Sequence, residues 1–233
     1  MKLRWRLAWI ATYPIAKLLL NLRVKGREKL PPGPLILASN HVSNVDPVIV
    51  GWAAARELHF FAKEELFTGP KLFTWLIKFW NAWPVSRSRV DPTAIKRFVH
   101  LLGRRQTVVL FPEGTRSKTG DLAGFKPGVG MLAIGSHAPI VPTLISGMEG
   151  SWTSYLVDKD FVRRGFRKKP ARPATVRVVF GDPVEPHEFE RSKDGYVEMT
   201  RIVEQEVRKL KRNVECRMPD VKCEEPSEHR QER

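Results

Sequence analysis

Apolar runs alternate with amphipathic segments along this chain, and that alternation predicts its fold class. Residues 35–38 and 108–110 are short, uninterrupted apolar runs of the kind found in strands buried on both faces of a sheet. Residues 175–180 alternate between apolar and polar positions and predict a further strand. Helices are predicted over residues 94–102, 127–136 and 192–214, and another is predicted to start at Asp46-Pro47 and run through Ala53. We therefore expect an α/β fold with a mixed, largely parallel central sheet flanked by helices.

Residues 1–24 are expected to form a helix that anchors the protein in the membrane interface. The uncharged run 7–16 is shorter than the ~20 apolar residues of a membrane span, and a lysine follows it. Trp5, Trp9 and Tyr13 recur every four residues beside basic side chains, which is typical of an amphipathic helix lying in the interface. A cleaved signal peptide has a similar length and basic start, and it stays open as the alternative.

The rest of the chain is expected to form one domain, residues 25–214, followed by a disordered polar tail, residues 215–233. The net charge of +15 predicts a negatively charged partner, such as an anionic membrane surface, a phosphorylated substrate or an acidic carrier protein. Residues 163–172 are the densest basic segment. No nucleic-acid-binding module is recognisable, so we expect no nucleic-acid partner. Two cysteines and the scattered histidines form no ligand-spaced cluster, so we expect no metal.

A histidine and an aspartate follow the first buried strand, at positions 41 and 46. Histidine is the usual general base for activating a hydroxyl, and a carboxylate beside it holds one tautomer and stabilises the imidazolium. Helix neighbours are three or four residues apart, so a spacing of five predicts a loop that curls His41 and Asp46 together. The alternative is structural: Asp46 before Pro47 also fits a helix N-cap, with His41 an ordinary loop residue.

A second polar segment, Phe111–Ser117, follows the second buried strand and reads Phe-Pro-Glu-Gly-Thr-Arg-Ser. Sites in open α/β sheets lie at the carboxyl ends of strands, so the two segments are expected to meet. Arg116 offers a planar fork of donors to phosphate oxygens, and Gly114 lets the backbone turn closely beneath a ligand. For a basic residue in a chain this basic, the alternative is a solvated surface charge.

Four blocks in this order resemble the glycerolipid acyltransferase family, and most closely the 1-acylglycerol-3-phosphate acyltransferases. Residues 40–46 resemble the HxxxxD block, and residues 84–87 resemble a second block that ends in a phosphate-binding arginine. Residues 111–117 resemble the third block, and residues 140–144 the fourth. A Lys-x-Gly element at 126–128 also matches. The second block departs from the family pattern at Trp83, Pro84 and Ser86.

The resemblance implies a role for each matching residue. His41 and Asp46 would be the catalytic pair. The acceptor would be bound by six residues: Arg87, Glu113, Gly114, Thr115, Arg116 and Lys126.

The implied reaction moves a fatty acyl group from a thioester, acyl-CoA or acyl carrier protein, to the free hydroxyl of lysophosphatidate, making phosphatidate for phospholipid synthesis. No cofactor is implied, and the expected location is the cytoplasmic face of the cell membrane, as a peripheral or monotopic protein. One alternative is the same chemistry on glycerol 3-phosphate or another lysophospholipid. A second alternative is a non-catalytic basic protein that binds membranes or nucleic acid.

Overall fold

The computed structural model of the protein describes residues 2–85, 92–117, 120–148, 151–157 and 174–216. Its helices are α1 (Leu3–Leu19), α2 (Asp46–Ala54), α3 (Lys71–Phe79), α4 (Pro92–Gly103), α5 (Gly128–Ser136), α6 (Trp152–Val157) and α7 (Lys193–Glu215). Its strands are β1 (Arg23–Lys25), β2 (Leu35–Ser39), β3 (Leu58–Lys63), β4 (Ala82–Val85), β5 (Thr107–Leu110), β6 (Ile140–Ser146) and β7 (Arg177–Phe180). Arg87, the basic segment 163–172 and residues 217–233 of the expected tail lie outside the described residues.

The described strands form one seven-stranded sheet in the order β1-β7-β6-β2-β5-β3-β4. The five strands from β6 to β4 run parallel to one another. Strand β7 runs antiparallel to β6, and β1 pairs parallel with β7. All five residues of the central strand β2 are buried, as its unbroken apolar run predicted. The expected α/β fold with a mixed, largely parallel sheet flanked by helices is confirmed.

Helices cover both faces of the sheet, and alternate residues of β2 show how. Leu35 and Leu37 point into a core that includes α2 and residues of α3, whereas Ile36 and Ala38 point into a second core with α4, α5 and α7. Side chains alternate across a strand, so one apolar strand serves both cores. The sheet is therefore closed on both faces, and the open places for chemistry are the ends of its strands.

Helix α1 is docked on the domain through its aromatic side chains. Trp5 is only 1% exposed, and its ring meets the ring of Trp80 edge-on with centroids 5.2 Å apart. A Cβ added at Gly51 of α2 would lie 2.9 Å from the Trp5 ring, so glycine is what allows this close approach. Trp9 donates from Nε1 to the carbonyl of Trp52 at 3.1 Å. One side of α1 is therefore part of the domain's packing.

The opposite side of α1 is apolar and exposed. Its large exposed side chains are Leu3, Leu7, Ile10, Ile15, Leu18 and Leu19. None of the helices in the described part of the chain is both long and apolar enough to cross a membrane.

A buried polar cluster lies at the amino end of β3, on the edge of the sheet away from His41. Glu57 accepts from the backbone N–H of Lys2 at 2.7 Å and from the side-chain amide of Asn81 at 3.2 Å, which fastens the start of α1. His59 is also buried, and its Nδ1 accepts from Nε1 of Trp83 at 3.1 Å.

Trp5→Ala should lower the free energy of unfolding by about 3–5 kcal/mol, the usual cost of truncating a buried tryptophan. Leu18→Ala is the matched control, since Leu18 lies on the same helix and is 81% exposed. Urea unfolding followed by circular dichroism measures both variants. If Trp5→Ala is no less stable than Leu18→Ala, α1 does not contribute its aromatic face to the core.

The stability of the fold should fall in mildly acidic solution because of His59. Burial lowers the pKa of His59, and the nearby Glu57 carboxylate only partly opposes this. The unfolded chain takes up a proton near the ordinary pKa of about 6.5, whereas the folded protein does so only at lower pH. His59 therefore does not reduce the free energy of unfolding above about pH 6.5, where it is neutral in both states. Below that pH the free energy of unfolding falls as the pH decreases toward the folded pKa.

Replacing His59 with Gln should flatten the dependence of the free energy of unfolding on pH between about pH 7 and 5. His100→Gln, at an exposed position of α4, is the control. Equal slopes for wild type and His59→Gln in urea titrations across this range would contradict the assignment.

Candidate active site

The side chain of Asn40 joins the loop after β2 to β6, a neighbouring strand in the sheet. The side-chain amide of Asn40 donates to the carbonyl of Ile145 at 2.9 Å, and its oxygen accepts from the N–H of Ile145 at 2.7 Å. This pair of bonds continues the β2–β6 pairing beyond the end of β2. Asn40 was not predicted as a site residue, although its place directly before His41 is the sequence signal for it.

His41 and Asp46 meet in a compact loop, as their spacing predicted. His41 Nδ1 lies 2.8 Å from Oδ2 of Asp46, and the aspartate is fully buried. The same oxygen accepts from the backbone N–H groups of Val42, at 2.7 Å, and Ser43, at 2.8 Å. The Asp46 carboxylate thus turns back toward the loop that precedes α2. A role as a helix cap alone does not account for this contact with His41.

The histidine ring is also held from its face. Phe111, the first residue after β5, stacks on His41 with ring centroids 4.1 Å apart and planes 23° apart. The carbonyl of His41 accepts from the N–H of Ser117 at 2.7 Å. The two polar segments therefore meet, because β2 and β5 are parallel neighbours and their carboxyl ends share one edge of the sheet. Sequence analysis did not single out Phe111 as a partner of the histidine.

Glu113 is buried, and its carboxylate accepts hydrogen bonds from two backbone N–H groups. Oε1 accepts from the N–H of His41 at 2.8 Å, and Oε2 accepts from the N–H of Ala123 at 3.0 Å. Burial raises the pKa of Glu113, and the two N–H donors oppose that shift. The resemblance implied a contact with the acceptor, whereas these bonds connect the histidine to a distant loop. Glu113 thereby fixes the backbone from which the His41 side chain projects.

Lys126 lies against the turn at Gly114. Gly114 has φ +75°, and a Cβ added there would come within 2.7 Å of the Lys126 ammonium nitrogen. The N–H of Lys126 donates to the carbonyl of Pro112 at 3.0 Å, which fixes this approach. In the same turn Thr115 is exposed and Arg116 is half-buried. The structure therefore gathers the Glu113–Arg116 turn and Lys126 beside His41, while Arg87 lies outside the described residues.

An apolar cleft of about 210 Å³ opens beside this cluster. Gly114 and Lys126 form its polar edge, and Phe111 links it to the histidine. The rest of its lining is mostly apolar: Phe61, Ile95, Phe98, Leu110, Pro112, Val129 and Leu132. Within the described residues, no group of three His, Cys, Asp or Glu side chains is placed to hold a metal ion.

Comparison with known proteins gives the same family. Residues 21–146, more than half of the 233-residue chain, match the family model described as Acyltransferase. The chain is 32% identical over 170 residues to the 1-acyl-sn-glycerol-3-phosphate acyltransferase of Cocos nucifera, covering 70% of this chain and 50% of that protein. It is 27% identical over 207 residues to the protein of the same name from Bacillus subtilis, covering 85% of this chain and 94% of that one.

The fold is similar to that of a solved relative. The crystal structure of the 1-acyl-sn-glycerophosphate (LPA) acyltransferase PlsC from Thermotoga maritima superposes with a TM-score of 0.62 at 26% identity, covering 88% of this chain and 79% of that chain. This chain spans half the length of the Cocos nucifera relative and 63% of that from Limnanthes douglasii. The family match, the fold and the His41–Asp46 loop agree, and the chain belongs to the Acyltransferase family.

Proposed function

We propose that the protein transfers a fatty acyl group from a thioester to the free hydroxyl of 1-acylglycerol 3-phosphate, forming phosphatidate. The observation that carries this proposal is the hydrogen-bonded His41–Asp46 pair beside the Gly114 turn, where Lys126 and Arg116 supply positive charge. The names of the relatives from Cocos nucifera and Bacillus subtilis support this acceptor.

His41 acts as the general base. Its Nδ1–H donates to Asp46, which leaves Nε2 to take the proton of the acceptor hydroxyl as the oxygen attacks the thioester carbonyl. Asp46 holds this tautomer and stabilises the imidazolium that forms. The tetrahedral intermediate collapses, the carbon–sulfur bond breaks, and the imidazolium returns the proton to the departing thiolate. The ester and the free thiol are the products.

The cations beside Gly114 bind the phosphate of the acceptor. Arg116 offers parallel N–H donors to phosphate oxygens, and Lys126 adds a point charge. Arg87 is proposed as a third contact on the strength of its motif alone. Gly114 keeps the turn free of a side chain, so a phosphate can approach the backbone. Binding the phosphate converts binding energy into alignment of the remote hydroxyl with His41.

The donor is acyl-CoA or acyl carrier protein. The apolar cleft beside Phe111 is suited to the fatty chain of one of the two substrates, because burying its methylene groups is favourable. We propose that the end of the cleft at Phe111, which stacks on His41, brings the reacting group near Nε2. A product assay with each thioester distinguishes the two donors.

We place the enzyme on the cytoplasmic face of an anionic membrane, where its lipid acceptor lies. The outer side of α1 offers the apolar side chains named above, and α3 adds three more exposed ones: Leu72, Trp75 and Leu76. Exposed apolar side chains in this number are typical of a membrane-binding surface, and basic residues such as Arg6 and Lys17 suit anionic lipid. Because the inner side of α1 is docked, the membrane and the site would keep a fixed orientation.

His41→Ala should lower the rate of phosphatidate formation by about 10²–10⁴, the usual contribution of a general base. Asp46→Asn should also lose most activity, since a neutral amide does not stabilise the imidazolium. The measurement is a product assay with lysophosphatidate and both thioesters, and circular dichroism checks the fold. His100→Ala is the control. A His41→Ala variant with normal turnover would refute the catalytic assignment.

Arg116→Ala and Glu113→Gln should impair the enzyme in different ways. Arg116→Ala should raise the KM for lysophosphatidate on the order of tenfold or more, because a charge-assisted contact is lost. Glu113→Gln should instead lower kcat, because an amide cannot accept from both N–H groups with its one oxygen, and His41 is then misplaced. Arg104→Ala, an exposed arginine, is the charge control. Steady-state kinetics with both substrates varied would overturn these roles if the two effects were reversed.

A further inference from the structure

The loop 120–126 carries Lys126 but has little packing of its own. It contains no helix or strand, and Asp121, Ala123, Gly124 and Lys126 are exposed. A Cβ added at Gly124 would meet nothing within 4 Å. Loops with few buried contacts sample many conformations unless hydrogen bonds fix them. What fixes this loop therefore also fixes the position of Lys126.

Three charged side chains of α7 contact the loop from outside the site. The carboxylate of Glu204 accepts from the N–H of Phe125 at 2.8 Å. Arg208 donates to the carbonyl of Leu122 at 3.2 Å and to the carboxylate of Glu204 at 2.9 Å. Lys211 adds a longer contact, 3.3 Å, to the carbonyl of Gly120. These bonds hold the outer side of the loop at three points.

The inner side of the same loop is bonded to the site. Ala123 lies between Leu122 and Phe125, both of which are bonded to α7. Its N–H donates to Glu113, whose other oxygen accepts from the N–H of His41. Lys126 then donates its own N–H to Pro112. A continuous set of contacts thus runs from α7 through the loop to the base and to the phosphate cation.

We propose that Glu204 and Arg208 are positioning residues for acyl transfer, which hold the loop 120–126 so that Lys126 faces the acceptor phosphate. This role rests on the proposed acylation of lysophosphatidate. The Glu204–Arg208 pair is partly exposed, with 23% and 40% of the two side chains accessible, so it adds little to the stability of α7 itself. The pair instead orders the loop, because Glu204 and Arg208 each also bond a backbone group of the loop, which has no regular secondary structure.

Glu204→Ala tests this role against a matched variant. Glu206→Ala removes a carboxylate from the same helix, where Glu206 pairs only with Lys209 at 3.4 Å among the contacts of the described residues. Glu204→Ala should speed hydrogen exchange at the amides of loop 120–126 by about tenfold or more and leave α7 protected. It should also raise the KM for lysophosphatidate on the order of tenfold, as for one lost charge-assisted bond, with the KM for the thioester unchanged. Glu206→Ala should change neither quantity more than about twofold.

A double variant shows whether the effect passes through Lys126. In a Lys126→Ala background, Glu204→Ala should add little to the KM for lysophosphatidate, because the cation it positions is gone. Fully additive effects, or unchanged exchange of the loop amides in Glu204→Ala, would overturn the proposal. A wild-type enzyme that does not acylate lysophosphatidate would refute the proposed function instead, and the exchange experiment would still decide whether Glu204 orders the loop.

Discussion

A single buried carboxylate oxygen organises the candidate site. Oδ2 of Asp46 lies within hydrogen-bonding distance of the His41 ring and of the N–H groups of Val42 and Ser43. A buried carboxylate is costly unless donors surround it, so these three contacts fix the loop conformation together. The curl of the loop brings groups five residues apart into contact, which a regular helix would not do. The direction of the histidine ring, and so of its Nε2, follows from this one constraint.

The rest of the site is connected to that loop through backbone groups of other strands. Asn40 fastens it to β6, and Glu113 fastens it to the loop after β5. These contacts are possible because β6, β2 and β5 are adjacent and parallel, so their carboxyl ends meet at one edge. The positions of the groups at this end of the sheet are therefore set by strands whose side chains are packed in the two cores. This arrangement suits a reaction that depends on alignment more than on a large number of functional groups.

Helix α1 combines two demands in one sequence. Its inner side completes a core through Trp5, while its outer side leaves leucines and isoleucines exposed. The aromatic repeat that suggested an interfacial helix thus serves, at least at Trp5, to dock the helix on α2. A docked helix is rigid relative to the site, whereas a free anchor would let the domain tumble against the membrane. The docking of α1 depends on the close approach of the Trp5 ring to Gly51.

The sequence by itself determined the main helices and strands and the contact between His41 and Asp46. Unbroken apolar runs predicted β2 and β5, because strands covered on both faces need apolar residues at every position. The amphipathic pattern of residues 192–214 predicted α7, and the structure adds that the Ser192 side chain caps this helix by accepting from the N–H of Gly195. The spacing of His41 and Asp46 predicted a loop for a local, steric reason. Such features depend on neighbours within a few residues, which the sequence displays directly.

Only the tertiary structure decided the partners that lie far apart along the chain. Glu113 bonds the backbone of a residue 72 positions earlier, and Glu204 bonds one 79 positions earlier. A carboxylate in a motif looks the same whether it faces a ligand or a backbone N–H, so the sequence did not display the bonds that Glu113 makes to the backbone. The aromatic pattern of α1 likewise fits both an interface and a core, and burial alone distinguishes them. The long-range partners of these side chains depend on which loops meet at one edge of the sheet. That is determined by the order of the strands, which a local sequence pattern does not show.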